Sequence, residues 1–145
     1  MSGFDRRRVN DLLEADNYAR GLGVEIVEVT GDEIVLGLQV TEAHANFLGL
    51  GHGGMVFSLA DCAFSLASNS AGEAVAIDTH LVLTRACRPG DRLEARVRQI
   101  SRGRTLGTYR TDVSLSEGKI VGLFTGTVYI TPGQETPGRL DSGEV

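Results

Sequence analysis

Gly53-Gly54-Met55-Val56-Phe57-Ser58-Leu59-Ala60-Asp61-Cys62-Ala63-Phe64-Ser65-Leu66-Ala67-Ser68-Asn69 is the stretch on which the fold turns. It is too long for a strand and apolar on nearly every side, which predicts a buried helix. Its seventeen positions would span about 25 Å. Ser58, Ala60, Ala63 and Ala67 are small enough to let a sheet approach closely. Working outward, nearly everything on either side reads as strand. Upstream, Val24 to Val29 and Ile34 to Val40 are β-rich runs joined by a hairpin at Thr30-Gly31-Asp32, with Ile34, Leu36, Leu38 and Val40 sharing one face. Downstream, Val75 to Arg85 leads to the turn Arg88-Pro89-Gly90-Asp91. Leu93, Ala95 and Val97 then alternate with Glu94, Arg96 and Arg98, a strand with one wet face. Arg102-Gly103-Arg104 turns it into Thr105 to Leu115, and Glu117-Gly118 turns that into Ile120 to Ile130. Six strands with short connections predict an antiparallel sheet, and a sheet wrapped around one long central helix is an α+β domain.

The length of 145 residues allows one domain. We read residues 1–131 as that domain, opened by an amphipathic helix from Phe4 to Tyr18 with Val9, Leu12, Leu13 and Asp16 near helical spacing. Residues 132–145, rich in Pro, Gly and polar groups, read as a disordered tail. The run Arg6-Arg7-Arg8 reads as a solvated helix face. A net charge of −5 and the lack of Trp argue against a nucleic-acid binder. No apolar run reaches the roughly 18 residues of a membrane helix, and the start has no apolar segment behind its charges, so neither a membrane span nor a secretory signal is expected. With two cysteines, Cys62 and Cys87, and no disulfide framework, a reducing cytoplasm fits.

Asp61 stands out inside the apolar run, as the sole Asp, Glu, Lys or Arg between Glu42 and Glu73. An ionised carboxylate there is costly unless it is paired, hydrogen-bonded or in reach of solvent at a working site. It either bonds back to its own helix or a neighbouring strand, or it does chemistry. The helix entrance, Gly49-Leu50-Gly51-His52-Gly53-Gly54, favours chemistry. Glycines let a ligand approach backbone closely, and free N–H groups at a helix N-terminus attract negative charge. Gly53 and Asp61 are eight positions apart, about 12 Å along a helix, so serving one substrate requires an extended ligand or a second subunit.

Sharper-looking signals fail. Gly49-x-Gly51-x-x-Gly54 matches the dinucleotide fingerprint in letters, but no strand precedes it and no βαβ unit follows. His52-Gly53-Gly54 is like an esterase oxyanion loop, yet no Gly-x-Ser-x-Gly elbow exists in the chain. His44, His52 and His80 have no metal-ligand spacing, so no metal is expected. Cys62, embedded among apolar residues, reads as an inert thiol.

Asn46-x-x-Gly49-x-x-His52-Gly53-Gly54, followed by Phe57-Ser58-Leu59-Ala60-Asp61, Ala63-Phe64 and Ala67-Ser68-Asn69-Ser70, resembles the hotdog-fold acyl-CoA thioesterases, and most nearly their phenylacetate-degradation branch. The likeness runs from about Gly21 to Ile130, including Gly90-Asp91-x-Leu93-x-Ala95 and Gly118-x-x-Val121-x-Leu123-Phe124-x-Gly126. It implies the hotdog fold and homodimers with joined sheets, paired into homotetramers, with sites at the dimer interface. It makes Asp61 the general base or nucleophile and Gly53 the backbone donor to the thioester carbonyl. Asn46 and His52 become groups that orient water, carbonyl or the entrance loop. Gly54, Phe57, Ser65 and Thr79 fall at substrate-binding positions, the last two matching loosely. One departure is Leu83-Thr84-Arg85-Ala86, where family members often carry an aromatic-x-Arg-Pro.

The expected activity is therefore hydrolysis of an acyl-CoA thioester, of aryl-acetyl or hydroxylated phenylacetyl type, to free acid and coenzyme A. Coenzyme A is part of the substrate and no separate cofactor is expected. Arg102 and Arg104 are candidates for its phosphates. The rival readings are a hotdog hydratase or dehydratase, and a non-catalytic acyl-CoA binding protein.

Overall fold

The computed structural model describes residues 3–132, so the tail expected from residue 132 lies, beyond that residue, outside the described residues. In chain order these form α1 (Arg6–Ala15), α2 (Asn17–Leu22), β1 (Glu25–Val29), β2 (Ile34–Gln39), a 3-10 turn (Glu42–His44), α3 (Gly53–Ser68), β3 (Ala74–Leu83), β4 (Arg92–Arg102), β5 (Leu106–Leu115) and β6 (Ile120–Ile130). The six strands make one antiparallel sheet in the order β1-β2-β4-β5-β6-β3. The sheet closes on α3, as the apolar run predicts.

Two elements differ from expectation by more than one residue. The single N-terminal helix is two helices, because Asp16 leaves helical geometry (φ −94°, ψ 91°) and its side chain accepts from the Ala19 N–H at 3.0 Å. A short acidic side chain that caps the next helix competes with continuing the last one. β4 runs to Arg102, where the sequence places its turn, and a bulge between Gln99 and Ser101 interrupts the alternation within it. β3 ends at Leu83 and not Arg85: Thr84 still donates its N–H to Val121 O (2.8 Å) and its hydroxyl to Ile120 O (2.9 Å), but Arg85 lies outside the ladder with β6.

The core lies between α3 and the inner face of the sheet. Phe64 packs on Phe124 and Tyr109 at centroid distances of 5.4 and 6.0 Å. Gly126 makes this possible, since a Cβ there would come within 2.7–2.9 Å of the Phe64 ring. At the C-terminal end of α3, Arg102 Nη1 donates to Ser68 O and Arg8 Nη2 to Asn69 O, both at 3.0 Å, placing two cations at the negative end of the helix dipole. Gly53, Gly54, Phe57, Ser58, Asp61 and Ser65 are the α3 residues that are not buried. From Gly54 on, their three- and four-residue spacing makes one stripe, which the sheet leaves uncovered except at Phe57. β3 is an edge strand, with Ile77 57% and Leu83 52% exposed. Among the described residues no helix is long and apolar enough to cross a membrane.

Candidate functional site

The entrance to α3 is shaped by Asn46. Its Oδ1 accepts from the N–H groups of Leu48 (2.9 Å) and Leu50 (3.1 Å), and its own N–H donates to Leu50 O at 2.7 Å. Gly49 takes φ +79° inside this loop, a conformation that favours glycine. The loop is fastened at its exit, where the Gly51 N–H donates to Cys87 O (2.7 Å) and the His52 N–H to His44 O (2.8 Å). With both lone-pair directions of Asn46 Oδ1 used locally, its Nδ2 amide has no partner among the described residues.

The first turn of any helix has spare N–H donors. Here most are spoken for. His52 caps the helix, its Nδ1 accepting from the Gly54 N–H at 2.8 Å, while Met55 and Val56 donate to His52 O at 3.0 and 3.3 Å. The Gly53 N–H has no acceptor among the described residues. Gly53 lines a cleft of about 400 Å3 together with Asn46, Leu83, Arg85 and Cys87. Gly53 is not among the residues with positive φ, so a turn requirement does not explain it. A Cβ at Gly53 would instead point into the cleft and meet Leu83 Cδ1 at 3.0 Å.

Asp61 lies about 12 Å further along α3 and about 80° around it. It is half-buried, and neither a hydrogen bond nor an ion pair engages its carboxylate among the described residues. The structural alternatives, a bond to its own helix or to a strand, are therefore absent. Burial, and then the nearby Asp16 carboxylate, push its pKa above the ordinary value. A base so tuned is stronger than a free Asp. Cys62 beside it is buried, its thiol pushed up to about 12 by burial and by Asp16 and Asp61, so it carries no thiolate. Among the described residues no group of three His, Cys, Asp or Glu could hold a metal ion.

The remaining expected residues divide. Ser65 follows Asp61 by one turn on the uncovered stripe. Thr79 pairs with Gly126, whose missing Cβ points at Phe64, so Thr79 faces α3. Leu83 lies against Gly53 and Ala74 against Asn69, which puts Thr79 level with Asp61. Gly54 serves the cap, since its N–H meets His52 Nδ1 and a Cβ there would crowd that ring at 3.0 Å. His52 is thus a helix cap, not a group aimed at Asp61. Phe57 packs edge-on against Phe124 at 5.7 Å and belongs largely to the core. Arg102 lies at the far end of α3 from Gly53, its Nη1 donating to Ser68 O at 3.0 Å and to the Tyr109 hydroxyl at 2.7 Å. Arg104 is exposed in the β4–β5 turn. Arg85 lines the cleft with Gly53, and the sequence itself gives it no sign of a role there.

This geometry has close parallels. A sequence model of the thioesterase superfamily matches residues 48–121. A Deinococcus radiodurans protein, provisionally named an esterase, is 47% identical over 79% of this chain and 80% of its own. The acyl-coenzyme A thioesterase PaaI of Escherichia coli is 34% identical over 87% of this chain and 91% of its own. The solved structure of that PaaI protein, from the phenylacetic acid degradation operon, superposes with a TM-score of 0.84 over 89% of this chain and 94% of its own, at 32% identity. A hypothetical thioesterase of Streptococcus pneumoniae, solved with coenzyme A, gives a TM-score of 0.73 over 79% of this chain and 92% of its own, at 27% identity. With the family model matching half of the chain and the E. coli relative 34% identical over most of it, the chain belongs to the thioesterase superfamily and has its hotdog fold.

Proposed function

We propose that the protein hydrolyses acyl-CoA thioesters, at sites that each combine two copies of the chain. The carrying observation is the pair of unengaged groups on α3, the Gly53 N–H and the Asp61 carboxylate. One thioester carbon must lie within about 3 Å of both groups' hydrogen-bonding partners, and about 12 Å of helix separates them. A second copy removes the conflict, with Gly53 of one copy opposite Asp61 of the other. Pairing along the β3 edge also covers Ile77 and Leu83.

In this reading the Asp61 carboxylate takes a proton from water as the water oxygen bonds to the carbonyl carbon. The Gly53 N–H, supported by Asn46 Nδ2, holds the resulting oxyanion. Collapse breaks the C–S bond, the acid leaves, and the coenzyme A thiolate takes the proton back from Asp61. Thr79 and Ser65 stand where the water needs a hydrogen-bond partner. Arg85, exposed at the cleft, meets the coenzyme A portion. Aryl-acetyl and hydroxylated phenylacetyl groups are the proposed acyl class, supported by the likeness to a phenylacetate-operon protein. A hydratase would want a histidine cooperating with Asp61, and His52 is committed to the cap.

The test is a panel of CoA thioesters incubated with the protein and a thiol reagent. Release of free thiol that Asp61→Asn abolishes supports hydrolysis. Bound thioester with no thiol released supports a non-catalytic binder and overturns the proposal.

A further inference from the structure

We infer that Tyr18, on the N-terminal α2 helix, is a specificity-determining residue whose ring forms one wall of the acyl site along the uncovered stripe of α3. The inference rests on the thioesterase reading above. Tyr18 is 65% exposed, an unusual position for a large aromatic, yet its hydroxyl is tied to Ser58 Oγ at 2.8 Å. Ser58 precedes Asp61 by three positions and shares its stripe, so the phenol stands about one turn from the acid. The helix that presents it is firmly docked. Ala19, the next residue, is fully buried in the core, and His44, whose Nδ1 accepts from the Thr41 N–H, pairs through Nε2 with Leu22 O at 3.2 Å. Asp16, two residues before Tyr18, adds to the rise that burial gives the Asp61 pKa.

The ring's exposed surface therefore borders the place where an acyl group must lie if its carbonyl is to be reached from Asp61. Aromatic side chains with one end tethered and one face free suit an apolar, planar partner. The match to the superfamily covers residues 48–121, and Tyr18 lies outside it. That fits a residue that tunes the acyl group accepted and not the bond broken.

The experiment compares kcat/KM for phenylacetyl-CoA and octanoyl-CoA in the parent, Tyr18→Ala and Tyr18→Phe, with thermal unfolding measured alongside. A ring–ring contact is worth about two- to twelvefold in binding. Tyr18→Ala should lower the aryl-to-linear ratio of kcat/KM within that range, with the change carried by KM. Tyr18→Phe, which keeps the ring, should retain most of the ratio. Tyr18→Leu gives the same comparison as Tyr18→Ala should the alanine variant fail to fold. An unchanged ratio in Tyr18→Ala or Tyr18→Leu, or an equal fall in Tyr18→Phe, overturns the inference. A parent inactive on both thioesters refutes the thioesterase reading and this one with it. An active parent whose ratio Tyr18 does not move refutes this one alone.

Discussion

Gly53→Ala adds one methyl group at the place where the chemistry is expected, and its two effects have different sizes. In stability, replacing glycine by alanine is favourable by about 0.5–1 kcal/mol inside a helix and by less at Gly53, the first residue after the cap. Against this, the new Cβ would sit 3.0 Å from Leu83 Cδ1, the rotatable end of a side chain that is 52% exposed. That end can retreat by a few tenths of an ångström at small cost. The net change should stay within about 1 kcal/mol, a Tm shift of no more than about 4 °C in a chain of this size. In catalysis, the methyl group points into the cleft beside the free N–H and keeps a thioester oxygen from reaching it. Loss of one oxyanion donor costs about 2.7–4 kcal/mol, roughly 100- to 1,000-fold in turnover. The assay is kcat/KM by thiol release, with thermal unfolding on the same preparations. Activity within about threefold of the parent, at unchanged Tm, would refute the role given to the Gly53 N–H. Activity restored by adding Leu83→Ala would show that a displaced Leu83, and not a blocked donor, did the damage.

Asp61→Asn should abolish turnover and raise Tm at neutral pH. The folded protein holds the Asp61 proton more tightly than the unfolded chain does, so ionisation costs stability. That cost is absent below the ordinary carboxylate range, grows as pH rises towards the folded pKa, and is fully present above it. In the parent, kcat/KM should accordingly fall on the acid side at a pH above that of a free Asp, about 3.9, and a pH–rate profile checks this. Arg102→Ala should leave KM for CoA thioesters unchanged while destabilising the fold by about 1–3 kcal/mol in a denaturant titration, because Ser68 O and the Tyr109 hydroxyl both lose a charged donor.

The sequence makes α3 and Asp61 legible because both are local facts: an apolar run longer than a strand, and one charge inside it. The alternating strands are legible for the same reason, as far as the alternation lasts. The bulge between Gln99 and Ser101 ends it inside β4, and the strand continues to the turn at Arg102 without it. Asp16 counted as a helical position because its spacing fits; its cap to Ala19 is a competing hydrogen bond that periodicity does not register. Arg102 misleads for a longer-range reason. It sits in a turn that looks solvated, and the carbonyl it holds is 34 residues away. His52 is a related case, since a ring two residues before Gly54 can cap the helix as readily as orient a substrate, and only geometry decides. What remained hidden at the site is Arg85, whose place beside Gly53 depends on how the segment after β3 folds back to the entrance loop through Gly51 and Cys87.

The composite site carries a consequence that no single-copy site can imitate. If each site takes its oxyanion donor from one copy and its acid from the other, a two-fold dimer has two such sites, related by symmetry. Gly53→Val and Asp61→Asn are then each inactive as homodimers, for different reasons. In a heterodimer of the two, one site receives both lesions, and the other receives the intact Gly53 of the Asp61→Asn copy and the intact Asp61 of the Gly53→Val copy. Random pairing of equal amounts makes half the dimers mixed, each with one working site of two, so the mixture should recover about a quarter of parent activity. Co-expression of differently tagged chains, followed by isolation of the doubly tagged species, should give about half of parent activity per dimer. A site built within one copy predicts no recovery, because every chain then carries a damaged site whatever its partner. Thiol release no greater than the mean of the two variants, from a species shown to be mixed, rejects the shared site even if hydrolysis itself stands.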